Sequence, residues 1–213
     1  MIDLVWIANH LSAIGASIWE HVVLTVLAVA IGFAISVVLA LVAHRFRWTY
    51  GPITAVTGLL YTIPSLALFA ILVPFTGFSL LTAEIGLVSY TLLILVRNIV
   101  AGLDGVPPDT REAATAMGYT ARQRLFRVEL PLAIPVTFAG LRIATVTTIG
   151  LVTVTGIIGQ GGLGQQIFLG LQLAFPTRIY VGAIGSVLLA VGADLLLLRL
   201  QHRLTPWDRP QAS

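Results

Sequence analysis

The sequence predicts an all-α integral membrane protein with about five spanning helices, and three observations predict it. Mean hydropathy is +0.97 and charged residues make up only 10% of the chain, outside the range of soluble domains. The charges are bunched between long apolar runs, as expected if an ion near the bilayer centre costs roughly 2.5–3.5 kcal/mol. Those runs are long enough, since about 20 residues at 1.5 Å each cross a hydrocarbon core of about 30 Å. The whole of residues 1–213 reads as one transmembrane domain.

The first segment, about residues 3–18, is short and carries Asp3, Asn9 and His10, with Trp6 and Trp19 as interfacial anchors. It reads as a helix lying on the membrane surface, a sixth span being the alternative. A cleaved signal peptide is not expected, because Asp3 stands where a positive charge should precede the apolar run. The first span covers about 22–43 and stops at the basic, aromatic anchor His44-Arg45-Phe46-Arg47-Trp48. A second covers about 52–73 with Pro64 inside it, and a third about 80–100, between Glu84 and Arg97-Asn98. A polar loop over about 101–131 separates these from a fourth span near 134–158 and a fifth near 179–198.

Orientation follows from the arginines. Arg45 and Arg47, then Arg111, Arg122, Arg124 and Arg127, then Arg199, Arg203 and Arg209 fall on one side, leaving Arg178 on the other. The positive-inside rule makes the first side cytoplasmic, with the N-terminus outside and the C-terminus inside a cell membrane.

All 12 basic residues are Arg. A phosphate-binding loop of the GxxxxGK[ST] type needs a Lys, so any ATP hydrolysis must come from a partner. The absence of Cys excludes thiolate sites, and His10, His21, His44 and His202 are too scattered for a local metal site. The pI of about 9.8 accompanies a net charge of only +3 with Arg beside apolar spans, which reads as topology rather than nucleic-acid binding.

The loop VPPDTREAATAMGYTARQRLFRVELP, residues 106–131, carries signals for two short helices. Asp109 with Glu112 forms a cap-like pair after Pro107-Pro108, and Glu112 is placed in the first turn, favourable to the helix dipole. Gly118 suits the left-handed residue that ends such a helix, and Thr120 with Gln123 repeats the cap before a helix that Pro131 closes. Small Ala113, Ala114 and Ala116 let another surface come close, and Met117 offers an adaptable contact. A DNA-binding pair or a lipid-resting loop are the other readings, but tethering between spans and diluted Arg favour docking to a protein.

Glu112-Ala113-Ala114, three residues, Gly118, nine residues, then Val128, one residue and Leu130-Pro131 resembles the EAA-xxx-G-x9-I-x-LP signature of binding-protein-dependent ABC importer permeases, with Val for Ile as the departure. The resemblance implies a type I importer permease fold like that of the methionine importer. It also implies an ATPase-coupling role for Glu112, Ala113, Ala114, Met117 and Gly118, with Leu130 and Pro131 fixing the exit. Implied partners are cytoplasmic ABC ATPase subunits, a second permease (itself or a homologue) and an extracytoplasmic solute-binding protein. ATP and Mg would be used by the ATPase, with no cofactor or metal on this chain and no enzyme activity of its own. Tyr61-Thr62-Ile63-Pro64-Ser65-Leu66-Ala67-Leu68, Arg97-Asn98, Gly102-Leu103 and Gly159-Gln160-Gly161-Gly162-Leu163-Gly164 are similar to permeases for glycine betaine, carnitine or choline. Within the same class a permease for an amino acid such as methionine is the alternative.

Gly159, Gly161 and Gly164 also fit the dinucleotide fingerprint, which has force only in a βαβ unit that this chain lacks. With Gly162 they read as a turn at the outer end of the fourth span, either an outer gate or contact for a binding protein, or a plain loop. Pro64 kinks the second span, and with Tyr61, Thr62 and Ser65 either borders the translocation path or marks a structural bend. Asp194 is placed to pair with Arg97 or Arg142, although for Arg142 snorkelling to the surface is preferred. An ion-coupled secondary transporter would need more embedded acids and an internal repeat than Asp194 alone supplies. A membrane hydrolase would need a nucleophile and base within the spans.

Overall fold

The computed structural model describes residues 2–208, and all the regular structure among them is helical. Arg209, counted above with the basic tail, lies outside the described residues. Asp3 opens α1 (Leu4–Asn9), accepting a hydrogen bond from the Trp6 amide at 2.9 Å. Six residues cover about 9 Å, so α1 is not a sixth span.

His10, stacked on Trp6, turns the chain into α2 (Leu11–Arg45). The separate surface helix is therefore confined to α1, and the first long helix starts well before residue 22. The polar groups that mask this start from a hydropathy reading are used inside the fold. Ser17 accepts from Gln166 Nε2 at 2.9 Å, Glu20 from the Gly161 amide at 3.1 Å, and His21 Nε2 donates to the Ile149 carbonyl at 3.0 Å. Each such bond offsets part of the cost of burying the group.

The second span is broken. α3 (Tyr50–Thr62) and α4 (Ser65–Thr76) meet at 94° around Ile63-Pro64. Steric conflict with a following proline pushes Ile63 to ψ 126°, out of the helical region, so the predicted kink becomes a full elbow. At 13 and 12 residues each half is shorter than the roughly 20 a span requires.

Two apolar clusters show that the halves together cross once. One gathers Ala40 and Ala43 of α2, Leu95 to Leu103 of α5 (Leu80–Asp104) and Ala133 and Ala144, with Tyr50 and Ile53 of α3 against it. The other gathers Leu24 and Ala28 of α2, Ala83 and Leu87 of α5, Phe69 of α4, and Val152 and Ile158. Thus α2 and α5 run parallel, and α3–α4 carries the chain back between them, giving the up to five spans that length and composition allow.

From α5 the chain passes through α6 (Pro108–Ala116) into a continuous 38-residue rod, Ala121–Ile158. The rod contains α7 (Ala121–Arg124), a π turn at Leu125–Glu129 and α8 (Leu130–Val154). The sequence pattern closes a helix at Pro131, but in the structure Pro131 sits in the first turn of α8 and the helix runs through it. The wide turn just before it, where the Leu130 amide bonds the Leu125 carbonyl five residues back, absorbs the break in the hydrogen-bond ladder. α9 (Leu163–Gln172) and α10 (Pro176–Leu204) form an antiparallel pair, with Gly182 of α10 close against the Leu163 carbonyl and Ile167 of α9. Small residues let the spans touch backbone to backbone. At Gly102 an added Cβ would lie 2.8 Å from the Ala133 carbonyl oxygen.

Candidate functional site

α6 projects from the Arg-rich face as a knob. Pro107 is its N-cap and Pro108 its first residue, pre-organised by its fixed φ. The expected Asp109 cap is not formed. The helix begins before Asp109, which lies in the first turn, and Glu112 falls beyond that turn, so the cap-like pair and the dipole role assigned to Glu112 are both lost. The exit is as expected: Gly118 takes φ +83°, a left-handed conformation that costs other residues roughly 1–2 kcal/mol, and the Tyr119 amide bonds back to the Ala114 carbonyl at 3.1 Å. Thr120 and Gln123 form the full reciprocal capping box that opens α7.

The exposed face of the knob carries Glu112, Ala113, Ala116 and Met117, the last 67% exposed, while Ala114 is buried against the bundle. Leu130 and Pro131 are half-buried at the root of the rod.

Sequence reasoning missed the group beneath the knob. Glu129, 3% exposed, accepts from Arg124 Nε at 2.8 Å and faces His44 Nε2 at 3.1 Å, with Arg111 Nε at 3.9 Å. Asp104 in turn faces His44 Nδ1 at 3.3 Å and takes both oxygens to Arg47 Nη1 at 2.9 and 2.8 Å. The available signal was a lone Glu in an Arg-rich, apolar stretch, which must be paired if buried.

Tyr61, Thr62, Pro64 and Ser65 come together at the elbow. Tyr61 is 39% exposed and packs edge-to-face on Tyr90 at 5.9 Å, and the Tyr90 hydroxyl donates to the Ile63 carbonyl freed by the break. Tyr90 lies about halfway along α5, so a polar backbone break is held at mid-depth of the bundle, where irregular backbone persists only against protein or a wet cavity.

A model of the family "binding-protein-dependent transport system inner membrane component" matches residues 32–207. This chain is a permease of that family. It is 39% identical over 193 residues to an osmoprotectant import permease protein, OsmW, of Salmonella typhimurium, covering 88% of this chain and 90% of that one. It is 34% identical over 187 residues to the glycine betaine/carnitine/choline transport system permease protein OpuCB of Bacillus subtilis, covering 88% and 86%. Among solved structures, an inward-facing MetNI methionine ABC transporter chain superposes with a TM-score of 0.80 over 92% of this chain and 98% of its own, at 22% identity. The permease fold is therefore the type I importer fold anticipated above.

At the face of the permease opposite the knob, Gly159 and Gly162 turn the chain with φ +75° and +47°. Gly159 is exposed, but Gly161, Gly162 and Gly164 are buried. A Cβ on Gly162 would lie 2.7 Å from the His21 amide nitrogen. These three glycines seat the turn on α2 and α8 rather than presenting a surface. Between α8 and α10, Arg142 and Asp194 pair through bonds of 2.8 and 2.9 Å and line a cleft of about 600 Å³. Arg142 is thus paired rather than snorkelling, because a bidentate carboxylate lies within its reach, and Arg97 is exposed and takes no part.

Proposed function

We propose that this permease works in pairs, with itself or a sister chain, to move a quaternary-ammonium osmoprotectant such as glycine betaine, carnitine or choline into the cell. An extracytoplasmic binding protein delivers the solute, and two cytoplasmic ABC ATPase subunits, which hold the ATP and Mg, drive the cycle. The permease itself performs no chemistry. The Arg-rich face is cytoplasmic by the positive-inside rule, which puts the N-terminus outside and the C-terminus inside.

The observation that carries this reading is the exposed α6, opened by Pro107-Pro108 and closed at its C-terminal end by Gly118. Glu112, Ala113, Met117 and Gly118 present a small surface suited to a cleft in the ATPase, Ala114 seats it on the bundle, and Leu130-Pro131 anchor its exit in the rod that becomes a span. Closure of the ATPases on ATP would pull two such knobs together and switch the pair between inward-open and outward-open states as rigid bodies. The elbow residues Tyr61, Thr62, Pro64 and Ser65 would border the path, and the turn carrying Gly159, Gly161, Gly162 and Gly164 would hold the outer end of α8 in register. The substrate class is supported by what the relatives transport. Tight recognition of the cation belongs to the binding protein, where an aromatic cage suits it.

The test is ATP-dependent uptake of radiolabelled glycine betaine and choline into vesicles holding the reconstituted complex, wild type against Gly118→Asp. Uptake by the wild type that falls at least tenfold in the variant, with binding-protein affinity intact, supports both substrate class and coupling. ATP hydrolysis without movement of either solute rejects the osmoprotectant, and uptake independent of ATP rejects the importer.

A further inference from the structure

We infer that Glu129 is the positioning residue that transmits force from the knob to the spans, a role that rests on the coupling reading of α6. The knob has little apolar purchase on the bundle, since Ala114 is the one residue of α6 that is buried. Its stiff ties are polar. Arg111 of α6 donates from Nη2 to the Leu103 carbonyl at the end of α5, and Thr115 of α6 accepts from Arg124 Nη1 at 3.0 Å. Arg124 then gives its Nε to Glu129 at 2.8 Å, and the other Glu129 oxygen faces His44 Nε2 of α2 at 3.1 Å.

Glu129 closes the π turn and is followed directly by α8. One buried carboxylate therefore joins the knob to α2 and α8, with Arg111 completing the circuit to α5. Charge-assisted bonds to a carboxylate are short and directional, so they transmit a displacement that a few methyl contacts would not. A Gln at this position keeps the size and one acceptor but loses the charge and the second acceptor oxygen.

The experiment reads ATP hydrolysed per solute imported, in the reconstituted full complex, for wild type, Glu129→Gln and His44→Asn, with Arg122→Ala at an exposed site as control. In Glu129→Gln the ATPase stays bound and active while the ratio rises at least tenfold. In His44→Asn, which cuts the α2 branch together with the His44–Asp104 contact, it rises severalfold, and the control keeps the wild-type ratio. A wild-type ratio in Glu129→Gln overturns the inference. If that variant does not assemble, His44→Asn decides, a raised ratio supporting the role and an unchanged one overturning it. Failure of the coupling reading is separable, because uptake would then be indifferent to Gly118→Asp, whereas failure of this inference alone leaves that sensitivity in place.

Discussion

The two ends of this bundle are held by opposite means. At the Arg-rich face, long side chains reach across gaps: Arg124, Arg111 and His44 converge on Glu129, and Arg47 reaches Asp104. At the other face there is no gap to cross, because Gly161, Gly162 and Gly164 let the backbone of the turn lie against α2 and α8. Charge-assisted ties converging on one carboxylate carry a displacement across the gap, while backbone contact through glycine leaves no room for one. The difference separates an end braced by side chains from an end seated on backbone.

That contrast orders the expected effects. Gly162→Ala meets both a positive φ of +47° and the backbone of α2, so overpacking and strain together cost about 4 kcal/mol. Recovery of folded protein from detergent extracts should collapse, and a near-normal yield would show that the seat is soft. Arg142→Ala leaves Asp194 without its partner within the bundle, at about 3 kcal/mol, near the cost of a lone ion in the bilayer. Thermal unfolding should drop clearly, with Arg142→Ala/Asp194→Ala recovering part of the loss.

Thr120→Ala removes the capping box of α7 and costs about 1 kcal/mol, loosening the knob while the spans keep their melting point. Hydrogen exchange over 113–124 would register it. Arg47→Ala breaks an exposed pair and costs under about 0.5 kcal/mol, an effect that added salt should erase.

Much of this was legible in the sequence because the bilayer imposes a strong code. Apolar length and Arg placement gave the spans, and Gly118, Thr120 and Gln123 gave the turn and cap of the knob through purely local geometry. What was hidden depends on distant partners. The start of α2 looked too polar because Ser17, Glu20 and His21 Nε2 find their partners more than a hundred positions away. The partner of the carbonyl freed at the Pro64 elbow, the Tyr90 hydroxyl, stands 27 positions from Ile63. α9 is too short and too interrupted by glycine and glutamine for a span search to register. Asp109 and Pro131 misled because each has two local uses, and the helix register chose the other one.

The most direct test of the coupling account uses the fact that the chain has no Cys. A single Ala113→Cys in the complete transporter, paired with cysteines introduced along the facing cleft of the ATPase, reports contact by disulfide formation. The account predicts rapid cross-linking at Ala113 and none at a matched cysteine on the opposite face, at Gly159. Equal cross-linking at both, or none at Ala113 in a complex that still imports solute, would contradict it.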